Sequence, residues 1–510
     1  MVLKMIQQGL IGLIAVGSGV VNDATAQERH GSQEAIEEVV VTATRRSESL
    51  QDVSGSLSAL TTEDILDLGL DNLQGFARLV PGTQLHQPLK NRSVFTIRGI
   101  NTDIGDTQLT QEPVALYIND MPATNPYAEL VQPDLALYDI ERIEVLRGPQ
   151  GTLFGSGSLG GAVRIITRQP VMNETEASFR VDFADVSEAG LRQRYDGMVN
   201  VPLVEDKLAL RAVAYVRDAE GWVENTNLGL ENGTEDWGAR LALQWYPSEK
   251  LSARFEVLYE DSDPGDADSW NPEFGEFKRF SLIDESRPYE LLMTNATLEY
   301  DFGFASLLSS TNFKSVDTSW RTEFGEIPGI GAIVNQSPFF NYDSAVQEFR
   351  LVSNSDGPID WVAGLYYFDN EVDSLLDVEI RGLQEFLQAI LGPGAMTAGK
   401  LIAAGAVQES EELAAYGDLT WQFSSDWSVS AGLRVFETET VFDQGPSLVF
   451  DFATLQDLMV PGFVNVADDN DFTWRTALSY TPNDDRHFYA TISKGFRVGQ
   501  VNPNNGPSFV

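Results

Sequence analysis

From Ala177 onward, apolar and polar residues alternate with a period of two. Ala239, Leu241, Leu243 and Trp245 stand against Arg240, Ala242, Gln244 and Tyr246. After Pro247 to Lys250, the next run sets Ala253, Phe255, Val257 and Tyr259 against Ser252, Arg254 and Glu256. Successive side chains on a strand point to opposite faces, so the pattern predicts strands with one apolar and one polar face. About thirteen such runs of roughly ten residues begin near Ala177, Tyr195, Leu208, Trp237, Leu251, Tyr289, Phe304, Tyr342, Ile359, Glu412, Trp427, Asp471 and Arg486. Alternation alone would also suit a two-sheet sandwich. The connections separate the two readings. Short turns (204–207, 247–250, 301–303, 355–358, 424–426, 482–485) alternate with long segments (218–236, 261–288, 321–341, 373–411, 440–470). An up-and-down barrel has this rhythm, with short turns at one rim and long loops at the other, and a tilted strand of about ten residues crosses a bilayer.

Upstream the pattern is mixed. Residues 50–170 read as one small α+β domain, with a helix from Thr62 to Leu68 capped by Thr62 and stopped at Gly69. A second helix runs from Asp71 to Leu79, and strands at Val94 to Ile100 and Val114 to Asn119 follow. The domain closes on two apolar runs (Ile140, Ile143, Val145 and Val163, Ile165, Ile166) around a centre holding Gly148, Pro149, Gly151, Gly155, Gly157, Gly160 and Gly161. Such a centre lets backbone turn tightly close to other backbone. A phosphate-cradling loop is excluded, because neither lysine nor a helix signal follows Gly161.

The first 26 residues read as a signal peptide: Lys4, an apolar stretch from Leu10 to Val21, then Ala24-Thr25-Ala26. That stretch is too short to span a membrane as a helix, and no other segment supplies the ~20 apolar residues required. Membrane passage would therefore have to use strands. Residues 27–49 form a polar segment expected to be flexible, interrupted by Glu38, Val39, Val40, Val41, Thr42 and Ala43. This β-prone run is either an edge strand of the next domain or a peptide that adds itself to a partner's sheet edge.

Charge and chemistry narrow the picture. With 76 acidic residues against 34 basic ones and a net charge of −42, the chain lacks the basic footprint of a nucleic-acid binder. It has no cysteine, and His30, His86 and His487 have no partners at metal-ligand spacing, so no catalytic residue, metal site or cofactor is expected. The carboxylates of 260–268 do not fit a calcium loop and are expected to be a solvated outer loop. Leu383, Phe386, Leu387, Ile390 and Leu391 share a helical face inside the long segment 373–411, expected to pack on the rim or on itself. Arg98 and Arg147 each sit beside a glycine at the end of a strand. Inside a barrel they would need carboxylate partners; otherwise they fold the small domain itself.

The stretch from Asp139 to Pro170, with IEVLRGPQGTLFGSGSLGGAVRIIT, resembles the closing motif of the plug domain in TonB-dependent outer-membrane receptors. VFTIRGI resembles the family's IRG motif, VALYINDMPA the strand after it, and EVVVTA the TonB box. QEFRLVSN, DWVAGLYYF and FYATISKGFRVGQVN resemble its barrel strands. The resemblance implies a plug inside a transmembrane antiparallel β-barrel in the outer membrane of a Gram-negative bacterium. It implies no enzyme. It implies import of a scarce nutrient, foremost a ferric siderophore, energised by a TonB-type periplasmic protein acting on Glu38 to Ala43. Ligand would bind between plug apices (101–110 and 121–129) and the long loops. Arg98 and Arg147 would form ion pairs with the barrel, Glu348 being one partner. Cobalamin, haem or an oligosaccharide stay open as cargo; a passive porin or a secreted acidic β-rich adhesin stay open as alternatives. A plugged barrel of this type has about 22 strands, so residues 171–510 are expected to be the N-terminal part of a barrel, in a truncated receptor.

Overall fold

The computed structural model describes residues 39–89, 91–101, 112–127, 135–354, 357–483 and 486–499. The signal peptide, Glu38 and the apices at 102–110 and 128–129 lie outside the described residues, as do residues 500–502 of the last quoted strand.

The chain enters through a small hairpin in which β1 (Val40–Val41) pairs antiparallel with β2 (Glu48–Ser49). The plug follows. Its strands are β3 (Ser56–Thr61), β4 (Thr83–Leu89), β5 (Arg92–Ile97), β6 (Val114–Ile118), β7 (Met121–Pro122), β8 (Ile140–Arg147) and β9 (Gly161–Thr167). Its helices are α1 (Thr62–Asp67), α2 (Leu73–Ala77) and α3 (Gly151–Phe154). The central sheet runs β3-β8-β9-β6-β7, parallel between β6 and β9, while β4 and β5 pair separately. All five residues of β6 and all seven of β9 are buried, which is why VALYI and GAVRIIT are continuous rather than alternating. The cap of α1 falls one residue before the expected Thr62. Thr61 accepts from the Asp64 amide (3.3 Å) and its own amide donates to the Asp64 carboxylate (2.8 Å), a reciprocal capping box. The single-turn helix α3 inside the glycine-rich centre has no sequence signal. Gly148 and Gln150 amides donating to Gly160 and Ser158 carbonyls close the turn around it.

Around the plug runs one antiparallel sheet. Its strands are β10 (Glu176–Val186), β11 (Gly190–Val204), β12 (Leu208–Ala219), β15 (Thr234–Ser248), β16 (Leu251–Pro264), β18 (Tyr289–Asp301), β19 (Ala305–Ile327), β20 (Gly331–Ser353), β21 (Ile359–Ile380), β22 (Lys400–Gln422), β23 (Trp427–Gln444), β26 (Phe463–Asn483) and β27 (Arg486–Ser493). Every expected strand is present, in sequence order. Among the described residues β10 and β27 do not pair with each other. On β23 the outward Leu433 and Val435 alternate with inward Gly432, Arg434 and Phe436, and the apolar outward face suits lipid outside. Aromatic side chains crowd the short-turn rim: Tyr300 packs on Phe302, Trp421 on Phe423, and Trp427 on Tyr480. No helix among the described residues is long and apolar enough to cross a membrane.

The long segments are less loop-like than expected. β19 to β22 extend for 22 or 23 residues each, consuming most of 321–341 and 373–411. Short strands β13 (Glu224–Asn225), β14 (Leu230–Glu231) and β17 (Lys278–Arg279) form a separate sheet, and β24 (Ser447–Asp451) and β25 (Gln456–Val460) make a hairpin off β22. The amphipathic segment is helix α4 (Leu383–Leu391), whose Leu383 and Leu387 pack with Ile380 and Phe450. The carboxylate run 260–268 is not a solvated loop: β16 takes its first half, and buried Asp266 accepts from Asn225 (2.8 Å) and lies 3.4 Å from Arg279. Part of the net negative charge stands on outward strand positions toward the long-loop rim. There Asp261, Glu290 and Asp317 are direct cross-strand neighbours, as are Asp343, Glu371 and Glu409.

Candidate functional site

The N-terminal hairpin is docked, not free. Val41 and Ala43 are buried in one cluster with Leu146, Ala162, Tyr117 and Phe154, while Val40 faces outward. The Thr42 amide donates to Glu144 Oε1 (2.8 Å). Glu144 is wholly buried on β8 and also accepts from Arg142 Nε and Arg164 Nη1, each at 2.8 Å. The Thr42 hydroxyl accepts from Arg164 (2.6 Å) and Arg142 (3.2 Å). One carboxylate thus serves two guanidinium groups, and the entering strand supplies the extra acceptor.

Burial alone would raise the Glu144 carboxyl; Arg164, the Thr42 amide and Arg142 together outweigh it and hold it below its ordinary value. A carboxyl depressed in the folded state contributes stability that is present above its unfolded value and drains as pH falls through the folded one. Plug stability should therefore be flat near neutrality and decline below about pH 4. Protease resistance of the plug followed from pH 7 downward checks this; a decline centred above pH 6 would contradict it.

Asp120, in the β6–β7 turn, is a second hub. It lies 3.0 Å from Arg45, 3.1 Å from Arg350 on β20 and 3.6 Å from Arg254 on β16. Burial opposes its ionisation, but Arg350, Arg45 and Arg254 prevail and hold it far below the usual carboxylate range. Arg45 also lies over the Phe154 ring (4.5 Å) and the Tyr117 ring (5.2 Å). Arg45, Asp120, Arg254 and Arg350 border a cavity of about 700 Å³ between the plug and the strand ends near the short-turn rim.

The expected site residues are distributed differently from the expectation. Arg147 does not reach a barrel carboxylate: its guanidinium donates to the Pro81 carbonyl (2.9 Å) and the Ser58 hydroxyl (3.0 Å), fastening β8 to its own domain. Arg98 is exposed at positive φ (54°), lies against Gly148, and makes no ion pair among the described residues. Both border a second cavity of about 510 Å³ next to β27. Among the described residues, then, neither Arg98 nor Arg147 pairs with a barrel carboxylate, and Arg147 bonds within the plug. Glu348 is buried in the wall, accepts from the Tyr416 hydroxyl and lies 3.9 Å from Arg350, so it meets the plug through the Arg45–Asp120 group and not through Arg147. Sequence reasoning missed Asp120, Glu144 and Arg45. For Glu144 the available signal was a carboxylate inside an apolar strand with arginine two residues before it.

Toward the long-loop rim the plug meets the wall through Asn125, which donates to Asn370 (3.0 Å), and Tyr127, which stacks on Phe368 at 5.5 Å. Lys314 donates to the Ala123 carbonyl (2.7 Å) and lies over Tyr342.

A domain built on a five-stranded mixed sheet and held inside an antiparallel, outwardly apolar sheet defines the plug-and-barrel class. Residues 49–162 match the family described as TonB-dependent Receptor Plug Domain, and residues 217–510 match TonB dependent receptor-like, beta-barrel. The chain belongs to the TonB-dependent receptors. It is 23% identical over 503 residues to the pesticin receptor of Yersinia enterocolitica, covering 94% of this chain and 66% of that protein. It is 27% identical over 226 residues to the ferripyoverdine receptor of Pseudomonas aeruginosa, covering 44% and 25% respectively. Its fold is similar to that of the ferric yersiniabactin uptake receptor of Yersinia pestis, with a TM-score of 0.72 at 17% identity, covering 88% of this chain and 66% of that one. The chain thus spans slightly less than two thirds of the length of the first of these relatives.

Proposed function

We propose that the protein is an outer-membrane receptor that takes up a ferric siderophore by energised transport. In this reading residues 1–26 direct export, residues 50–170 form the plug and the outward apolar strand faces meet outer-membrane lipid. A TonB-type periplasmic protein engages Glu38 to Ala43. The observation that carries the reading is the Thr42–Glu144 contact: the residues just after Glu38 are tied into the middle of the plug sheet, so tension on them is delivered to β8. The class of cargo is supported by the names of the relatives, receptors for ferripyoverdine and for pesticin, and by the fold likeness to a ferric yersiniabactin uptake receptor. A protein that pulls by strand addition needs backbone donors along the added strand. Val40→Pro removes one and fixes φ. Cells producing this variant should bind radiolabelled ferric siderophore at the surface as wild type does and accumulate almost none; accumulation at the wild-type rate would overturn the assignment.

A further inference from the structure

Glu412 on β22 is a buried carboxylate with no part in the contacts described so far. Its Oε1 is tied to Arg434 of the neighbouring strand at 2.5 Å, and Arg434, 1% exposed, is seated over the Tyr366 ring. Its Oε2 accepts from two plug hydroxyls, those of Tyr127 (3.4 Å) and Ser156. The two hydroxyls come from separate plug segments and meet at this carboxylate. Tyr127 ends the segment that meets the wall at Phe368 and Asn370, on the long-loop side. Ser156 belongs to the glycine-rich turn.

We propose that Glu412 is a positioning residue that couples the plug segment Asn125–Tyr127 to the N-terminal strand through the turn Phe154–Ser156. The turn is held tightly. Gly155 has φ of 69°, and a Cβ there would lie 2.9 Å from the Arg434 guanidinium, so the turn rests directly on the ion pair. The Phe154 carbonyl accepts from Tyr117 (2.9 Å), and the ring lies between Arg45 at 4.5 Å and Arg164 at 5.8 Å. Arg45 follows Thr42 by three residues and is the N-terminal segment's grip on Asp120. Tyr127 reaches that grip through Glu412 and the turn. The carboxylate cannot swing to follow one hydroxyl without leaving Arg434 unpaired in a buried site. Drawing Tyr127 away therefore shifts the Ser156 contact, moves Phe154 from under Arg45 and loosens the strand. Such a contiguous set of packed groups is a physical route for coupling, and it demands a coupling measurement.

The inference rests on residues 39–43 being the strand that is pulled, yet its test needs no periplasmic partner. The chain contains no cysteine, so Val41→Cys places a single thiol at a wholly buried position that reacts only when the strand leaves. In the purified protein, the rate of modification by a maleimide-polyethylene glycol reads that opening. Tyr127→Phe and Ser156→Ala should each raise it about tenfold, the effect of losing one hydrogen bond to a charged group. Their combination should raise it by less than the product, because they act through one carboxylate. Glu412→Gln should do the same as either. Tyr138→Phe is the matched control, since it deletes another plug hydroxyl bonded to the wall, at Ser178 (2.6 Å), away from this route. It should leave the rate within about twofold of the parent. Unchanged rates in Tyr127→Phe and Ser156→Ala overturn the coupling, as does equal acceleration by Tyr138→Phe. Should Glu412→Gln fail to fold, the two hydroxyl deletions decide alone. If Val40→Pro leaves uptake intact while Tyr127→Phe still accelerates modification, partner engagement fails and the coupling stands.

Discussion

Replacing Glu144 with alanine should release the N-terminal hairpin and cost the plug ~3 to 5 kcal/mol, the penalty for stranding a buried charge. Arg142 and Arg164 share this carboxylate, and their side chains are 11% and 4% exposed. Arg164 lies directly opposite Glu144 in the β8–β9 ladder and would be left without its carboxylate, whereas Arg142 keeps Glu141. The Thr42 amide loses its acceptor at the same time. Glu144→Gln should be milder for the hairpin, since an amide oxygen still accepts from Thr42, and nearly as severe for the arginines. Proteolysis between Val39 and Leu50 reads the hairpin and urea unfolding reads the plug. An alanine variant that resists both as wild type does would remove the triad from any account of how the strand is held.

The barrel strands were legible because a bilayer forces alternation: each outward position must be apolar over the height of the membrane. Above it, that constraint ends. The outer halves of β21 and β22 carry Asp373, Asp377, Glu379, Glu409 and Glu411, so their pattern reads as loop although their backbone ladder continues. The helix at 383–391 escaped this limit because its apolar face packs on Ile380 and Phe450, and a 3.6-residue period survives in any solvent. The site was far less legible. Glu144 meets Thr42 across 102 residues and Asp120 meets Arg350 across 230, distances at which no local pattern carries information. Arg147 stands out in the sequence by its place beside Gly148. Its partners are backbone carbonyls and a serine, which have no charge signature to search for.

Gly161→Ala should be among the most damaging single-methyl changes in the plug. The residue pairs with Arg147 on one side and Val114 on the other, at the start of the central strand β9. It has φ of 155°, and a Cβ there would lie 2.2 Å from the Leu146 carbonyl oxygen and 2.8 Å from Ile97 Cδ1. The first contact is backbone and cannot yield by a rotamer change, so β8 and β9 would have to separate. Overpacking a rigid core typically costs ~1 to 3 kcal/mol, and the conformation adds ~1 to 2 kcal/mol because it disfavours an L side chain. A loss of about 2 to 5 kcal/mol is expected from these two terms together. Gly69→Ala supplies the comparison. It has φ of 62° but nothing within 4 Å of the added atom, so only the conformational part, ~1 to 2 kcal/mol, should appear. Urea titration of both variants, with cleavage of the plug by trypsin as the readout, separates crowding from backbone strain. Equal losses in the two would mean that β8 and β9 have room to spare at Gly161.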